Sequence, residues 1–224
     1  MTATPDSRAD STRQQILRAA ARQFARLPYH QVGLDDVLAE AELTKGAMYF
    51  HFRSKHALAL TIIEDQAADA RAVVEGLVNR KFSGLETLID FGYQIAVRDI
   101  STDMARAGFN LLESIGRVEG LQAERLEGWI QTLTVIAGRA VEEGDISDEC
   151  DPQEVARLLV SIFMGLRQTS NLDDPEQFLL ALEKTWVLLL PGIVRPERID
   201  YFRQFIRRRT AIAIGSTSTL ASSL

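Results

Sequence analysis

Cysteine is nearly absent. The single Cys150 leaves no internal disulfide to staple a small fold, so the chain must hold itself together by packing. Histidine is almost as scarce, and His30, His51 and His56 all lie near the N-terminus, which leaves the rest of the chain without a Ser-His-Asp or Cys-His set. No run of eighteen or more apolar residues occurs, so no membrane span is expected. No signal-peptide pattern is read at Met1, and a cytoplasmic location is the expectation. Strand alternation, internal repeats and a Gly-rich phosphate loop are missing too, and no cofactor is implied. An enzyme therefore has no supporting constellation. His51 and His56 stand five apart and do not share a helical face, so no metal pair is expected from them.

What remains is an ordinary globular composition, 224 residues with 46% hydrophobic content, enough for a sizeable core in one large domain or two small ones. The net charge of −6 divides unevenly. Residues 1–56 hold 8 Lys or Arg against 6 Asp or Glu, giving +2, while the remainder holds 17 against 25, giving −8. A cationic end on an acidic body keeps one end attractive to phosphate and holds the other away from it.

That cationic end contains the most informative stretch, LDDVLAEAELTKGAMYFHFRSK from Leu34 to Lys55. Gly33 is a permissive N-cap for a helix over Asp35 to Ala41, with Leu34, Val37 and Leu38 on its inner side. Glu42 and Leu43 form a tight joint. Thr44 then caps a second helix from Lys45 to about His51, and Ser54 caps the next one at once. So short a helix is marginal alone. Its first turn carries Lys45, Gly46 and Ala47, a cation beside two residues with almost no side chain, so its backbone can lie close to a large surface. Two helices with a tight joint and a cationic, small-residue start to the second form the helix-turn-helix arrangement, in which that start meets base edges in the major groove. A core reading competes for the aromatics. It suits Phe52 and part of Phe50, whereas the Tyr49 hydroxyl needs a partner or water.

The run TKGAMYFHFRSKHAL, with the helix before it, resembles the signature of the tetracycline-repressor (TetR) family. The resemblance covers roughly the first quarter of the chain. It implies an all-helical, homodimeric repressor that leaves double-stranded DNA when a small molecule binds its C-terminal domain. It further implies that Lys45, Gly46, Ala47 and Phe50 face bases and that Thr44, Tyr49, His51 and Lys55 hold phosphates. Gly33 departs from the pattern, since the family usually places Thr or Ser there, and one hydroxyl-to-phosphate contact is missing.

Along the rest of the chain, residues 1–9 show no apolar period and read as a flexible arm in which Arg8 is placed to touch phosphate. A helix from Ser11 or Thr12 to Leu27 buries Ile16, Leu17, Ala20, Phe24 and Leu27, and shows Arg18, Arg22 and Arg26 on its other side. Such a row is ordinarily a solvated face, although beside a reading helix its first turns can meet the DNA backbone. Domain boundaries follow: a DNA-binding domain over 10–54, an effector-binding and dimerisation domain over 55–212, and a disordered tail over 213–224. A helix from Ser54 to about Arg80, roughly 40 Å long at about 1.5 Å per residue, joins the two domains as a lever. Helices are then expected from Ser83, from Ser101 to Gly116, and from Glu124 to Glu143. A loop over Arg117 to Ala123 separates the last two. Further starts stand at Asp151-Pro152, Asp174-Pro175 and Arg195-Pro196.

The body, through LETLIDFGYQIAVRD, LEGWIQTLTVIAGRAVEEGDI and DPQEVARLLVSIFMGLR, resembles the γ-butyrolactone receptor-like branch of the family. That resemblance implies that Trp129 lines an effector pocket, with Phe91, Phe109, Leu133 and Phe163 as apolar neighbours. A plain core tryptophan is the competing reading. The helices over 152–170 and 175–190 carry more apolar residues than one inner face needs. Dimerisation is therefore expected through Leu159, Phe163, Leu166, Leu182, Trp186 and Leu189. The expected function is a repressor released from a pseudo-palindromic operator by a small hydrophobic or lactone-like effector, with an aromatic drug-like compound as the second choice of ligand. The rival is a helical carrier or sensor whose head binds a protein partner.

Overall fold

The computed structural model describes residues 5–78 and 80–221. Among them the fold is all-α, with ten helices and one isolated antiparallel bridge between Ile146 and Val194. No helix of the described residues is long and apolar enough to cross a membrane. The helices are α1 (Pro5–Arg26), α2 (Leu34–Ala41), α3 (Lys45–His51), α4 (Lys55–Val78), α5 (Gly84–Ser101), α6 (Asp103–Val118), α7 (Leu121–Glu142), α8 (Pro152–Thr169), α9 (Pro175–Ile193) and α10 (Ile199–Ala221).

Side-chain caps set several of the starts. Thr44 accepts from the Ala47 amide, Thr102 from Ala105, Asp174 from Gln177, and Asp151 from both Gln153 and Glu154. Ser83 and Glu86 form a reciprocal capping box before α5, with the Ser83 amide donating to Glu86 at 2.8 Å and the Glu86 amide to the Ser83 hydroxyl at 3.3 Å.

Four expectations about the elements are corrected. Helix α1 begins at Pro5, where proline's missing N–H costs nothing and its fixed φ suits the first turn, so residues 5–9 are helical rather than an arm. Residues 1–4 and the Arg8 side chain lie outside the described residues. Helix α6 starts at Asp103, two residues later than expected, capped by Thr102 because Ser101 ends α5, and runs past Gly116 to Val118. Helix α7 starts at Leu121, which shortens the expected loop before it. Helix α10 continues to Ala221, so the expected tail is helical over most of its length, residues 222–224 lying outside the described part. Its hydroxyls bond back to the turn before, Thr217 to Ile214 O at 2.9 Å and Thr219 to Gly215 O at 2.9 Å, while Ala213 and Thr217 are buried four residues apart.

Two compact units result. The first combines the residues up to Asp69 with Thr102–Gln122, and the second combines Ala70–Ser101 with the residues from Ala123 onward. Thus α6, which follows α5 in the chain, belongs with the N-terminal helices. In this unit Ile16, Leu17, Phe24, Met48, Leu58 and Ile62 pack with Ala107, Leu111 and Leu112 of α6. Polar ties close the same unit. Asn110 of α6 donates to the Phe24 and Ala25 carbonyls at the end of α1, at 3.1 and 3.2 Å. Gln15 donates to Ala41 O at 2.7 Å, and Arg22 and Gln23 both reach Glu40 of α2. Burial raises the Glu40 pKa, but these hydrogen bonds and the Arg22 charge outweigh it and leave the carboxyl below its ordinary range.

The second unit is held around α5. Asp99 is fully buried and takes Arg167 of α8 at 2.7 Å, while Asp90 takes Arg80 at 3.3 Å and also Arg209 of α10. Tyr93 and Thr210 share a buried hydrogen bond at 2.7 Å, and burial pushes the Tyr93 phenol pKa up.

Glycine is required by close approach at two crossings. A Cβ on Gly84 would stand 2.5 Å from the Ala140 backbone nitrogen, and one on Gly108 would stand 2.4 Å from the Gln66 Cβ, where α6 crosses α4. Gly108→Ala is therefore expected to destabilise the first unit by about 1–3 kcal/mol, the ordinary cost of overpacking. Thermal or urea unfolding measures it, and a variant as stable as the parent shows that the crossing can open without cost.

Candidate DNA-reading helix and effector cavity

Helix α3 has only seven residues, and one of them, Met48, is fully buried. Met48 and the following Phe52 anchor it in the core of the first unit, and Arg13 lies over the Phe52 ring at 5.4 Å. With that side held, the other faces outward. Tyr49 is 57% and Phe50 79% exposed, and the Phe50 and His51 rings meet edge to face at 4.9 Å. Two large aromatics standing in water on a helix whose core anchors are already placed are not core residues.

The joint before α3 is tight because Glu42 adopts a left-handed conformation, φ 54°, which turns the chain sharply without a glycine. Its amide and that of Leu43 return to Ala39 O and Leu38 O. Beyond Thr44, the start of α3 is bare. Gly46 is exposed, and a Cβ there would meet nothing nearer than the Thr44 hydroxyl at 3.9 Å, so the turn can approach a flat or grooved surface closely. Lys45 is exposed and paired with Asp35 of α2 at 2.8 Å. That hydrogen bond, and then the carboxylate charge, raises the Lys45 pKa and keeps the ammonium charged.

Of the eight residues expected to meet DNA, the structure gathers Thr44, Lys45, Gly46, Ala47, Tyr49, Phe50 and His51 on or just before α3. Lys55 is turned elsewhere. Its Nζ donates to Tyr29 O at 2.9 Å and Val32 O at 3.0 Å, and it sits over the Tyr29 ring at 4.3 Å. The carbonyls left open by the turn at Tyr29–Gln31 explain this: Lys55 ties that turn to the start of α4. In the row of arginines on α1, Arg22 is held by Glu40, while Arg18 and Arg26 are exposed.

In the second unit, α5, α7, α8 and α9 enclose a cavity of about 50 Å³ with an almost wholly apolar wall. Of the residues expected around an effector, Phe91, Trp129, Leu133 and Phe163 line it. Phe109 does not. It is buried within the first unit and is absent from the wall, because α6 packs there rather than with α5. On the other side of Trp129 lies an open cleft of about 180 Å³, bordered by Ala70, Arg71, Val74, Glu75 and Thr132. Phe91, Trp129 and Leu133 line both spaces and form the partition between them, with the Phe91 and Trp129 rings edge to face at 6.4 Å.

Most of the residues expected at a dimer interface stand at the same cavity. Leu159, Phe163, Leu182, Trp186 and Leu189 line it, with Leu182 and Trp186 buried, and Leu166 is half-buried on α8. The surplus of apolar residues on α8 and α9 thus serves a hollow as well as an outer surface. The outward apolar residues are Leu158, Leu180 and Leu188, the last 81% exposed. Their spacing on α9, eight residues between Leu180 and Leu188, is a helical period that identified this face only once the inner one was known.

Comparison with known proteins agrees with this geometry. Residues 16–62 match the family described as bacterial regulatory proteins, tetR family. The A-factor receptor protein of Streptomyces griseus is 30% identical over 201 residues, spanning 88% of this chain and 69% of that protein. The TetR family protein CprB from Streptomyces coelicolor, solved in complex with its biological operator sequence, superposes with a TM-score of 0.78 at 30% identity over 90% of this chain and 97% of that one. A γ-butyrolactone receptor, described as ArpA-like, gives 0.76 at 28% identity over 90% and 97%. With the helix-turn-helix inside the matched residues and the likeness running through nearly the whole chain, the protein belongs to the tetR family of bacterial regulatory proteins.

Proposed function

We propose that this protein is a homodimeric repressor that binds an operator through α3 and leaves it when a small hydrophobic or lactone-like molecule enters the cavity of the second unit. The outward aromatics Tyr49 and Phe50 and the open space at Gly46 carry this reading, since none of them serves the core. Phosphates are held by Thr44, Tyr49 and His51, and base edges are met by Lys45, Gly46, Ala47 and Phe50. The S. coelicolor relative solved with its operator supports operator binding as such. Lys55 acts from behind, holding the turn and α4 in place.

Phosphate contacts release counterions, so operator affinity must fall steeply with salt, by a slope of about −0.9 per contact. Tyr49→Phe is expected to weaken binding to operator and non-operator DNA alike. Lys45→Ala is expected to cost about 1–3 kcal/mol at one base position and to relax preference there, because phosphate contacts position and base contacts specify. Gel shifts at two salt concentrations against single-base operator variants measure both. A flat salt response with no sequence preference favours a protein-binding head instead.

Two copies pair through the outward sides of α8 and α9, where Leu158, Leu180 and Leu188 stand exposed. The operator is then a pseudo-palindrome whose half-sites lie one helical turn, about 34–36 Å, or a multiple apart. Leu188→Glu is expected to give a folded monomer with operator affinity lowered at least about tenfold, since each half-site is then bound alone. Sedimentation reads the outcome, and an unchanged dimer places the interface on another face.

For release, the ligand must bind the DNA-incompetent form better, since equal affinity for both forms shifts nothing. Helix α4 connects the two events in the chain. Its residues to Asp69 belong to the first unit, and Ala70, Arg71 and Val74 border the cleft outside Trp129. Trp129→Ala is expected to leave operator affinity within a few-fold while raising the effector concentration for half-release by about tenfold, which corresponds to about 1.4 kcal/mol. Loss of DNA binding together with early melting would instead mark Trp129 as a core residue.

A further inference from the structure

The cavity wall contains one feature that packing does not account for. Trp186 on α9 is 4% exposed, and its indole nitrogen faces Gly92 of α5: a Cβ built on that glycine would stand 3.7 Å from Nε1. Among the described residues no acceptor takes this N–H. The other polar side chain brought to the wall by α9, Thr185, already donates to Ala181 O at 2.9 Å. Buried indole N–H groups ordinarily find a partner.

Gly92 is equally unexplained by packing. It lies in the middle of α5, where glycine is a poor helix former, and it has no positive φ. Gly84 and Gly108 are forced by neighbours that a methyl would strike, whereas at Gly92 a methyl would make only ordinary contact. The glycine therefore keeps open a small space in front of an unpartnered donor. No charged side chain lines the cavity among the described residues, so a carboxylate has no counter-ion there, while a neutral acceptor fits.

We infer that the Trp186 indole N–H, with Gly92 leaving room before it, is the donor that recognises a neutral carbonyl oxygen on an otherwise apolar ligand. This rests on the effector reading above and adds to it the atom that is read. A lactone, ester or ketone qualifies, and a hydrocarbon of the same shape does not. The space of about 50 Å³ is too small for a ring with an alkyl tail, so such a ligand must displace part of the wall, and the cleft beyond Phe91, Trp129 and Leu133 is the adjoining room.

The chain has two tryptophans, so the ¹⁵N-labelled protein gives two indole N–H resonances, assigned with Trp186→Phe and Trp129→Phe. γ-Decalactone and hexylcyclopentane serve as probes, being a ring with the same tail with and without a carbonyl. The expected result is a saturable downfield shift of the Trp186 resonance with the lactone and none with the hydrocarbon. Gly92→Ala places a methyl before the donor without a clash. It is expected to weaken the lactone at least tenfold, change the hydrocarbon little, and leave the melting temperature and operator binding equal or higher. A purely structural Trp186 predicts the same stability without the selective loss. Movement of the Trp129 resonance alone, or equal effects of Gly92→Ala on both probes, overturns this assignment and leaves the effector cavity standing. Saturable movement of neither resonance removes the cavity reading along with it.

Discussion

Everything the first unit does depends on holding a helix too short to hold itself. Seven residues close very few intrahelical hydrogen bonds against the cost of nucleation, so α3 exists only because Met48 and Phe52 are sunk into a core built by its neighbours. That constraint explains the crowding of ties behind it. Gln15 and Glu40 lock α1 to α2, Glu42 turns the joint, and Asn110 brings α6 against the end of α1. It also explains why α3 can spend its remaining positions on Lys45, Gly46, Tyr49 and Phe50, none of which contributes core.

The second unit solves the opposite problem. It must leave apolar volume unfilled, which costs stability in proportion to the empty space, without letting its walls collapse. Its fixed points are polar. Asp99 with Arg167 joins α5 to α8, Asp90 with Arg209 joins α5 to α10, and Arg139 of α7 reaches Phe82 O at 3.1 Å and Thr87 at 2.9 Å. Buried ion pairs of this sort add little net stability, yet they specify register strongly, because a shifted helix would strand a charge.

Much of this was legible in the chain. Caps at Thr44, Ser83, Asp151 and Asp174 are local chemistry, and they stand where a reader of side chains expects them. The reading helix was legible because its residues violate core patterning: Gly46, Tyr49 and Phe50 make no sense on a buried face. What was not legible depends on which surface meets which. Phe109 has the same amphipathic setting as Phe91, and only the packing of α6 beside α1 separates them. Leu182 and Trp186 repeat at helical spacing whether they face a partner subunit or a hollow. Lys55 looked like a phosphate ligand because a sequence does not say which carbonyls are left open nearby. The last turns of α10 escaped notice for a related reason, since hydroxyl groups bonding to the preceding turn leave no apolar period to read.

The polar ties of α7 are unevenly placed. On α7 they sit toward its C-terminal end, at Arg139 and at Glu143 just beyond it, where the Glu143 carboxylate accepts from the Gly84 amide at 2.6 Å. Trp129 stands nearer the other end and Leu133 near the middle, where an exposed pair of Arg157 with Glu127 at 3.9 Å adds little. Burial of Ile130, Leu133 and Ile136 holds this stretch by apolar packing instead. Phe91 completes the partition with Trp129 and Leu133, so the divide between the two spaces joins α5, which also carries Gly92, to α7. Helix α4 borders the same partition from the cleft side through Ala70 and Val74, so α4, α5 and α7 meet at one divide.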